Sequence, residues 1–314
     1  MSEDELIEAI SRSVASGEGV LVGIGDDTAI LEMGSGDLVL TTDMLVEGVH
    51  FDPAAISTTD LGYKSIVVNV SDVAAVAGSP RYATVGLALP SGTPSGWVID
   101  LYRGMVDACG EYGLSIVGGD LSRSERVVIS VTIAGEVPSG RALTRAGASP
   151  GEVVAVTGCL GAAAGGLKVD PKDVLTEWGR ALSEAQARPV ARVGEAQILA
   201  GSGASAMMDL SDGLSTDLQR LCAASGVGAT LDLASLPVCD GLEHLDVDPL
   251  DLALNGGEDY ELLVAISSDA VEVATAKLKE HFGVPFTVVG EITETSGIMA
   301  DGRPLKAKGW DHFA

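Results

Sequence analysis

Residues 23–51 read GIGDDTAILEMGSGDLVLTTDMLVEGVHF, where strand-like apolar runs alternate with acids and glycines. Asp26 and Asp27 form one acidic turn and Asp43 closes the Thr-Thr-Asp that follows an apolar run; the stretch contains no lysine or arginine to neutralise them. Magnesium prefers oxygen ligands and often completes its shell with phosphate and water. From this stretch alone, a cation site and a pair of ordinary acidic turns are equally good interpretations.

The rest of the N-terminal half places more acids at predicted strand ends. Strands are predicted over residues 20–24 and 37–42, and a third over 114–117 is followed at once by Gly-Gly-Asp at 118–120. Alternating strands and helices predict an α/β fold, in which sites often form where strands end. Two adjacent glycines would also let the backbone approach a ligand closely.

Residues 58–77, TTDLGYKSIVVNVSDVAAVA, predict a helix that is apolar on most sides. Ser65, Asn69 and Asp72 fall on one stripe of that helix. The stripe is either an ordinary solvated face or, because the rest of the helix is expected to be buried, a place where a carboxylate meets a cation or ligand.

A change in composition at residues 138–151 marks the predicted domain boundary. This segment, PSGRALTRAGASPG, is rich in Gly, Pro and Ser, which is typical of linkers. We therefore predict an N-terminal domain over residues 1–137 and a C-terminal domain over residues 138–314. Arg145 in the segment is either a phosphate clamp or a solvated linker residue.

Two more acidic clusters lie in the second half. A short apolar strand ends at Asp209, and Ser211 or Asp212 is predicted to cap the next helix. Further on, Asn-Gly-Gly-Glu-Asp-Tyr-Glu at 255–261 leads into an apolar strand. With only four histidines and no dinucleotide fingerprint, this excess of carboxylates favours several magnesium ions around a polyphosphate, and hence phosphoryl transfer.

Composition excludes some classes of function. The 314-residue chain has a formal net charge of −26 with 19 basic and 45 acidic residues. A non-specific nucleic-acid binder needs the opposite sign, so no nucleic-acid partner is expected. The acidity itself reflects either solubility or adaptation to a salty cytoplasm.

The four cysteines show no Cys-x-x-Cys spacing. They are predicted to be small buried apolar residues in a reducing compartment, without a zinc site or disulfide framework. The N-terminus lacks the pattern of a secretory signal, and no apolar run approaches the ~18 residues of a membrane span. A cytoplasmic protein without membrane contact is therefore expected.

Seven motifs together carry a family resemblance. In order they are GIGDD, TTDMLVEGVHF, NVSDVAAVAGSP, VGGD, RALTRAGA, DLSDGLSTDL and GGEDYEL. Their order and spacing resemble the thiamine-monophosphate kinase family, within the superfamily of aminoimidazole ribonucleotide synthetase. The resemblance runs from about residue 20 to the end. It implies an α/β fold with mixed sheets in two domains, a homodimer, and ATP-dependent conversion of thiamine monophosphate to thiamine diphosphate.

The resemblance also implies roles for individual residues. The magnesium ligands would be oxygen-bearing side chains, namely Asp27, Thr41, Thr42, Asp43, Asp72, Asp120, Asp209 and Asp212. The ATP contacts would be Tyr102, Gly119, Asp120, Arg145 and Ser211. The thiamine phosphate would be held by His50, Glu258 and Trp310. Catalysis would depend chiefly on Asp43, Asp212 and Arg145. Asp26 is left without a role, and Trp310 has the alternative of a tail residue filling a surface groove.

Two alternatives remain open at the level of sequence. Relatives that make selenophosphate carry a reactive cysteine or selenocysteine and a lysine near the N-terminus, whereas this chain has neither before Lys64. The hydrogenase-maturation relative ends in a functional cysteine, whereas this chain ends in Asp-His-Phe-Ala. The other alternative is a non-catalytic module that binds nucleotide or a divalent metal.

Overall fold

A computed structural model describes residues 20–22, 29–33 and 36–310. Asp26, the predicted magnesium ligand Asp27 and the N-terminal segment before residue 20 lie outside the described residues. The described part has a mixed α/β fold with two sheets and eight α-helices, which agrees with the predicted fold class.

The first sheet is built from residues before the predicted boundary. Its six strands are β1 Val20–Val22, β2 Ala29–Met33, β3 Gly36–Val46, β4 Ser79–Leu89, β5 Ser115–Arg123 and β6 Val128–Pro138. They lie in the order β1-β2-β3-β6-β4-β5, and all neighbours are antiparallel except β4 and β5. Alternate residues of β6, such as Ile129, Val131 and Ile133, are buried, so one face of this sheet forms a core.

Two helices cover that face, α1 Thr58–Ala75 and α2 Ser95–Tyr112. They cross closely because glycines lie at the contact: a Cβ on Gly62 would be 1.9 Å from the Leu101 carbonyl oxygen, and one on Gly104 would be 1.7 Å from that of Thr59. Helix α1 is buried on most sides, as its sequence predicts, because its C-terminal alanines also pack against the second sheet.

The second sheet has seven strands from the second half of the chain. They are β7 Val153–Thr157, β8 Ala204–Asp209, β9 Gly228–Leu231, β10 Leu262–Ile266, β11 Phe286–Thr293, β12 Gly297–Ala300 and β13 Arg303–Pro304. Their order is β13-β12-β9-β11-β7-β10-β8, with only β9 and β12 parallel. Every residue of β10 is buried, because apolar clusters lie on both faces of this sheet.

Six helices surround the second sheet. They are α3 Ala162–Gly166, α4 Glu177–Ala187, α5 Val193–Gly201, α6 Leu214–Ser225, α7 Pro249–Asn255 and α8 Ser268–Phe282. The apolar stripe of α6 packs into one cluster through Leu214, Leu218 and Leu221. Among the described residues, no helix is long and apolar enough to cross a membrane.

The structure corrects two expectations about local features. Gly118, Gly119 and Asp120 do not form a turn after a strand; they lie inside β5, which pairs with β4 as far as Arg123. Asp212 and Ser211 do not cap α6, because Gly213 occupies the N-cap position and no side-chain cap bond is made there.

The cysteines correct a third expectation. Cys159 and Cys239 form a disulfide across 80 residues, with their Cα atoms 5.0 Å apart. Cys109 and Cys222 are free and buried, as predicted. The sequence did not reveal the pair, because a long separation without a repeated spacing carries no pairing information. The cysteines therefore do not support a reducing compartment.

Candidate active site

A cavity of about 680 Å³ lies between the two halves of the chain. Strand β3 and helix α1 form one wall, and the connections after β8 and before β10 form the other. The polar or aromatic side chains that line it are Asp43, His50, Asp72, Asp209, Ser211, Asp212, Glu258, Tyr260 and Trp310. The structure thus brings together eight residues predicted for the site, and Tyr260 is an addition.

Hydrogen bonds between strand β3 and helix α1 position Asp43 and Asp72 in the cavity wall. The Thr41 hydroxyl donates to Asp72 Oδ2 at 2.6 Å, and the Asp43 backbone N–H donates to Asn69 Oδ1 at 2.8 Å. Asn69 in turn donates to the Ser65 carbonyl one turn earlier, at 3.1 Å. The polar stripe predicted on α1 is therefore a connection to β3 rather than a solvated face.

Asp209 links the two halves at the floor of the cavity. It ends β8 with 1% of its surface exposed. Its Oδ2 accepts a hydrogen bond of 2.6 Å from the hydroxyl of Ser71 on α1. A buried carboxylate is costly without such partners, so this hydrogen bond helps to fix the position of α1 relative to the second sheet.

Asp212 is held by a network on α6. The Asp212 backbone N–H donates to Oδ2 of Asp217, which is fully buried, at 3.0 Å. Arg220 contacts the Asp212 carboxylate and also donates to Asp217 Oδ1 at 3.0 Å. Sequence reasoning missed Arg220 and Asp217. Their spacing of three residues on one helix face, just after Asp212, is the signal that could have indicated them.

His50 lies in the turn that follows β3. The Val46 backbone N–H donates to His50 Nδ1 at 3.0 Å. When the imidazole is neutral, its proton must therefore lie on Nε2. Since His50 lines the cavity, that N–H is the donor it can offer to an anionic group.

The connection before β10 has an unusual backbone. Glu258 and Tyr260 have φ values of 70° and 52°, a region that side chains rarely adopt. Tyr260 is 7% exposed. Burial raises the pKa of its phenol well above the ordinary value, and the neighbouring carboxylates of Glu258, Asp43, Asp209 and Asp72 raise it further. The phenol therefore stays neutral beside the acids.

The C-terminal segment closes the cavity. The Gly309 N–H donates to Thr216 Oγ1 at 3.0 Å, and the Trp310 N–H donates to the Asp212 carbonyl at 3.2 Å. Trp310 is 50% exposed although it lines the cavity. The backbone of Trp310 is thus anchored beside Asp212, and half of the side-chain surface is exposed.

Several predicted residues lie outside this cavity. Tyr102, Gly119 and Asp120 line a second, open depression of about 560 Å³ beside β5. Thr42 projects from the other face of β3, where it accepts from the Thr132 hydroxyl at 3.0 Å. Arg145 lines neither depression. Strand β5 is separated from β3 by two strands, which corresponds to about 14 Å at ordinary strand spacing.

The donor set of the cavity fits magnesium. Asp43, Asp72, Asp209 and Asp212 offer only hard oxygen donors. Among the described residues, no three His, Cys, Asp or Glu side chains are grouped closely enough to hold a metal ion by themselves. Magnesium is commonly bound through one or two carboxylates together with phosphate oxygens and water, so a spread set of aspartates suits a metal that arrives with a polyphosphate.

Comparison with known proteins places this geometry in a family. Models of the N-terminal and C-terminal domains of AIR synthase related proteins match residues 25–137 and 149–301. The thiamine-monophosphate kinase of Escherichia coli K12 is 40% identical and is matched over 94% of this chain and 93% of that protein. The Aquifex aeolicus kinase is 37% identical over 100% of this chain and 98% of its own. This chain belongs to the thiamine-monophosphate kinase family.

Solved structures agree with the family assignment. AaThiL complexed with AMPPCP and TMP superimposes with a TM-score of 0.89 at 36% identity, covering 99% of this chain and 97% of that one. The hydrogenase maturation protein HypE of E. coli has a TM-score of 0.71 at 22% identity, with 98% and 99% covered. At that identity HypE shares the fold alone, whereas the thiamine-monophosphate kinases share sequence over the full length.

Proposed function

We propose that this chain is a thiamine-phosphate kinase that transfers the γ-phosphoryl group of ATP to thiamine monophosphate. The observation that carries the proposal is that the acids, His50 and Trp310 meet in one cavity between the two halves. The solved relative that holds AMPPCP, an ATP analogue, together with TMP supports the same pair of substrates.

The reaction joins two anions. An oxygen of the thiamine phosphate forms a bond to the γ-phosphorus, and the bond to the bridging oxygen breaks, so ADP leaves with the electron pair. The second pKa of a phosphate monoester is about 6, so the acceptor oxygen is already ionised at neutral pH. This chain therefore needs groups that neutralise and orient the phosphates more than it needs a general base.

The cavity residues divide that work by their chemistry. Asp43, Asp72, Asp209 and Asp212 are the residues that would hold magnesium, which when bound neutralises the charge of the polyphosphate. His50 would donate its Nε2–H to the acceptor phosphate. Trp310 would offer its exposed face to the positively charged thiamine, because cations bind favourably over indole rings.

We also infer that two copies pair through the open face of the first sheet. Four residues lie in register across neighbouring strands of this sheet, namely Asp120 on β5, Gly86 on β4, Ser130 on β6 and Met44 on β3. Residues in register project to the same face of a sheet, so Asp120 projects from the face opposite α1 and α2. A second copy seated there would bring Asp120 and Gly119 toward a cavity that they do not reach within one chain.

The proposal also includes the boundary between the two domains and the cellular location of the protein. A division near residue 138 is supported because the first sheet ends at Pro138 and the second begins at Val153. A cytoplasmic location is supported by the requirement for ATP, which cells keep in that compartment.

The direct test is an assay of the purified full chain with ATP, magnesium and thiamine monophosphate. Thiamine diphosphate and ADP should form in equal amounts, cease with a chelator and return with added magnesium. Free thiamine in place of the monophosphate is the control and should give no product. Binding of ATP without formation of thiamine diphosphate would contradict the proposal and favour a nucleotide-binding module.

A further inference from the structure

Lys64 is a charged residue placed where charge is unfavourable. It lies on α1, and only 1% of its side chain is exposed. An ammonium group removed from water is strongly destabilising unless partners replace its hydration. The position of Lys64 within the apolar run of α1 therefore requires a specific partner.

Both of its partners come from the second half of the chain. Lys64 Nζ lies 2.8 Å from Glu258 Oε1 and donates to the Gln186 carbonyl oxygen at 3.0 Å. Gln186 belongs to α4, and Glu258 lines the cavity. This ion pair, in which Lys64 is buried and Glu258 is partly exposed, thus joins the first-sheet unit to the substrate side of the site.

Glu258 is fixed at its backbone as well. Its N–H donates to the Ser211 carbonyl at 2.8 Å. The backbone approaches so closely that a Cβ on Gly257 would lie 2.6 Å from the Ser211 oxygen. With φ at 70° the backbone direction of Glu258 is set. The remaining freedom is in its side chain, which is 25% exposed and which Lys64 holds at one oxygen.

We propose that Lys64 is a positioning residue for Glu258, resting on the function proposed above. Lys64 holds Oε1 of the Glu258 carboxylate, so that Oε2 faces the cationic thiamine moiety. A salt bridge formed only to stabilise the fold would not need a partner that lines the cavity. A carboxylate held by a buried lysine gives a directed acceptor whose position does not depend on the substrate.

The test compares Lys64→Met, Glu258→Gln and the double variant in steady-state kinetics, with calorimetric binding of thiamine monophosphate. Each single variant should raise KM for thiamine monophosphate and weaken its binding by about tenfold or more, as expected when one partner of a buried pair is removed. KM for ATP should change by less than about twofold. The double variant should match Glu258→Gln, because Lys64 acts through Glu258.

Thermal unfolding separates positioning from stability. Lys64→Gln keeps a hydrogen-bond donor for Glu258 and Gln186, so it should fold even if Lys64→Met fails to fold. It should give an intermediate KM. Loss of thermal stability with an unchanged KM for thiamine monophosphate would overturn the inference, as would additive effects in the double variant. If the wild-type chain forms no thiamine diphosphate, the proposed function fails and this inference fails with it. An active wild type with unchanged Lys64 variants overturns this inference alone.

Discussion

Asp212 combines two roles that are usually separate. Its carboxylate lines the cavity and contacts Arg220, while its backbone is tied to the buried Asp217 and to Trp310. The backbone contacts fix where the carboxylate points. Arg220 keeps its second partner, Asp217, when the charge of Asp212 is removed. The position therefore allows a test of charge without loss of the fold.

Asp212→Asn should lower kcat by at least about a hundredfold, because it removes a carboxylate proposed to hold magnesium at the transferred phosphate. Its melting temperature should stay close to that of the wild type. Kinetics at saturating magnesium and thermal melting measure the two effects. Asp107→Asn, on the exposed side of α2, is the matched control and should be fully active. A kcat of Asp212→Asn near the wild-type value would contradict the proposed role of Asp212 as a magnesium ligand.

At the scale of elements, helix α3 depends on a single carboxylate. Asp259 Oδ2 accepts from the Gly161 N–H at 2.7 Å, and Oδ1 accepts from the Ala163 N–H at 3.4 Å. The five-residue helix that begins there carries Ala164, which lines the cavity. Burial of the carboxylate raises the pKa of Asp259 from 3.8 to about 7, against the opposing effect of these hydrogen bonds.

This raised pKa predicts a pH dependence of stability. The folded chain binds the Asp259 proton more tightly than the unfolded chain does, so the resulting stabilisation is complete below pH 3.8 and is lost as pH rises through about 7. The wild type should therefore lose stability relative to Asp259→Asn over that window. Denaturant unfolding at several pH values measures the difference. If the free energies of unfolding of the wild type and Asp259→Asn changed with pH in the same way, the raised pKa would be contradicted. Asp246→Asn, which replaces an exposed acid, is the control, and its stability should change with pH as that of the wild type does.

At the scale of the whole molecule, the described residues leave one face of the first sheet open. Helices α1 and α2 pack on the other face, while Tyr82 and Met44 remain 56% and 54% exposed on the open one. Tyr82, Ala134 and Leu40 lie in register across three strands of that face. Exposed apolar surface of this kind marks an interaction site, which agrees with the proposed pairing of two copies.

We expect a homodimer in solution, with twice the 31.9 kDa mass of a single chain. Tyr82→Glu combined with Ala134→Glu should give single chains, because like charges would meet across the interface. Activity should fall together with the mass if Asp120 completes the partner's site. Light scattering and the kinase assay measure both. Leu175→Glu, at a position that is 82% exposed elsewhere, is the control. A monomeric wild type with full activity would contradict the pairing.

Much of the fold could be predicted because local pattern and structure agree. The strand predicted over residues 37–42 lies within β3, and the helix predicted over 58–77 is α1 to within two residues. Strand β5 differs, since it continues through Gly118 and Gly119 to Arg123. Pairing with β4 outweighs the low strand propensity of glycine there.

The sequence by itself determined the order of strands and helices, the supply of carboxylates and the family, because these follow from neighbouring residues and their spacing. Only the tertiary structure decided which acids share a cavity, that Asp120 lies apart from it, that Cys159 bonds to Cys239 and that Lys64 pairs with Glu258. The Lys64 and Glu258 positions are far apart along the chain and meet only when α1 packs against the second sheet. Such contacts depend on how whole elements bury their apolar faces, which no local stretch specifies.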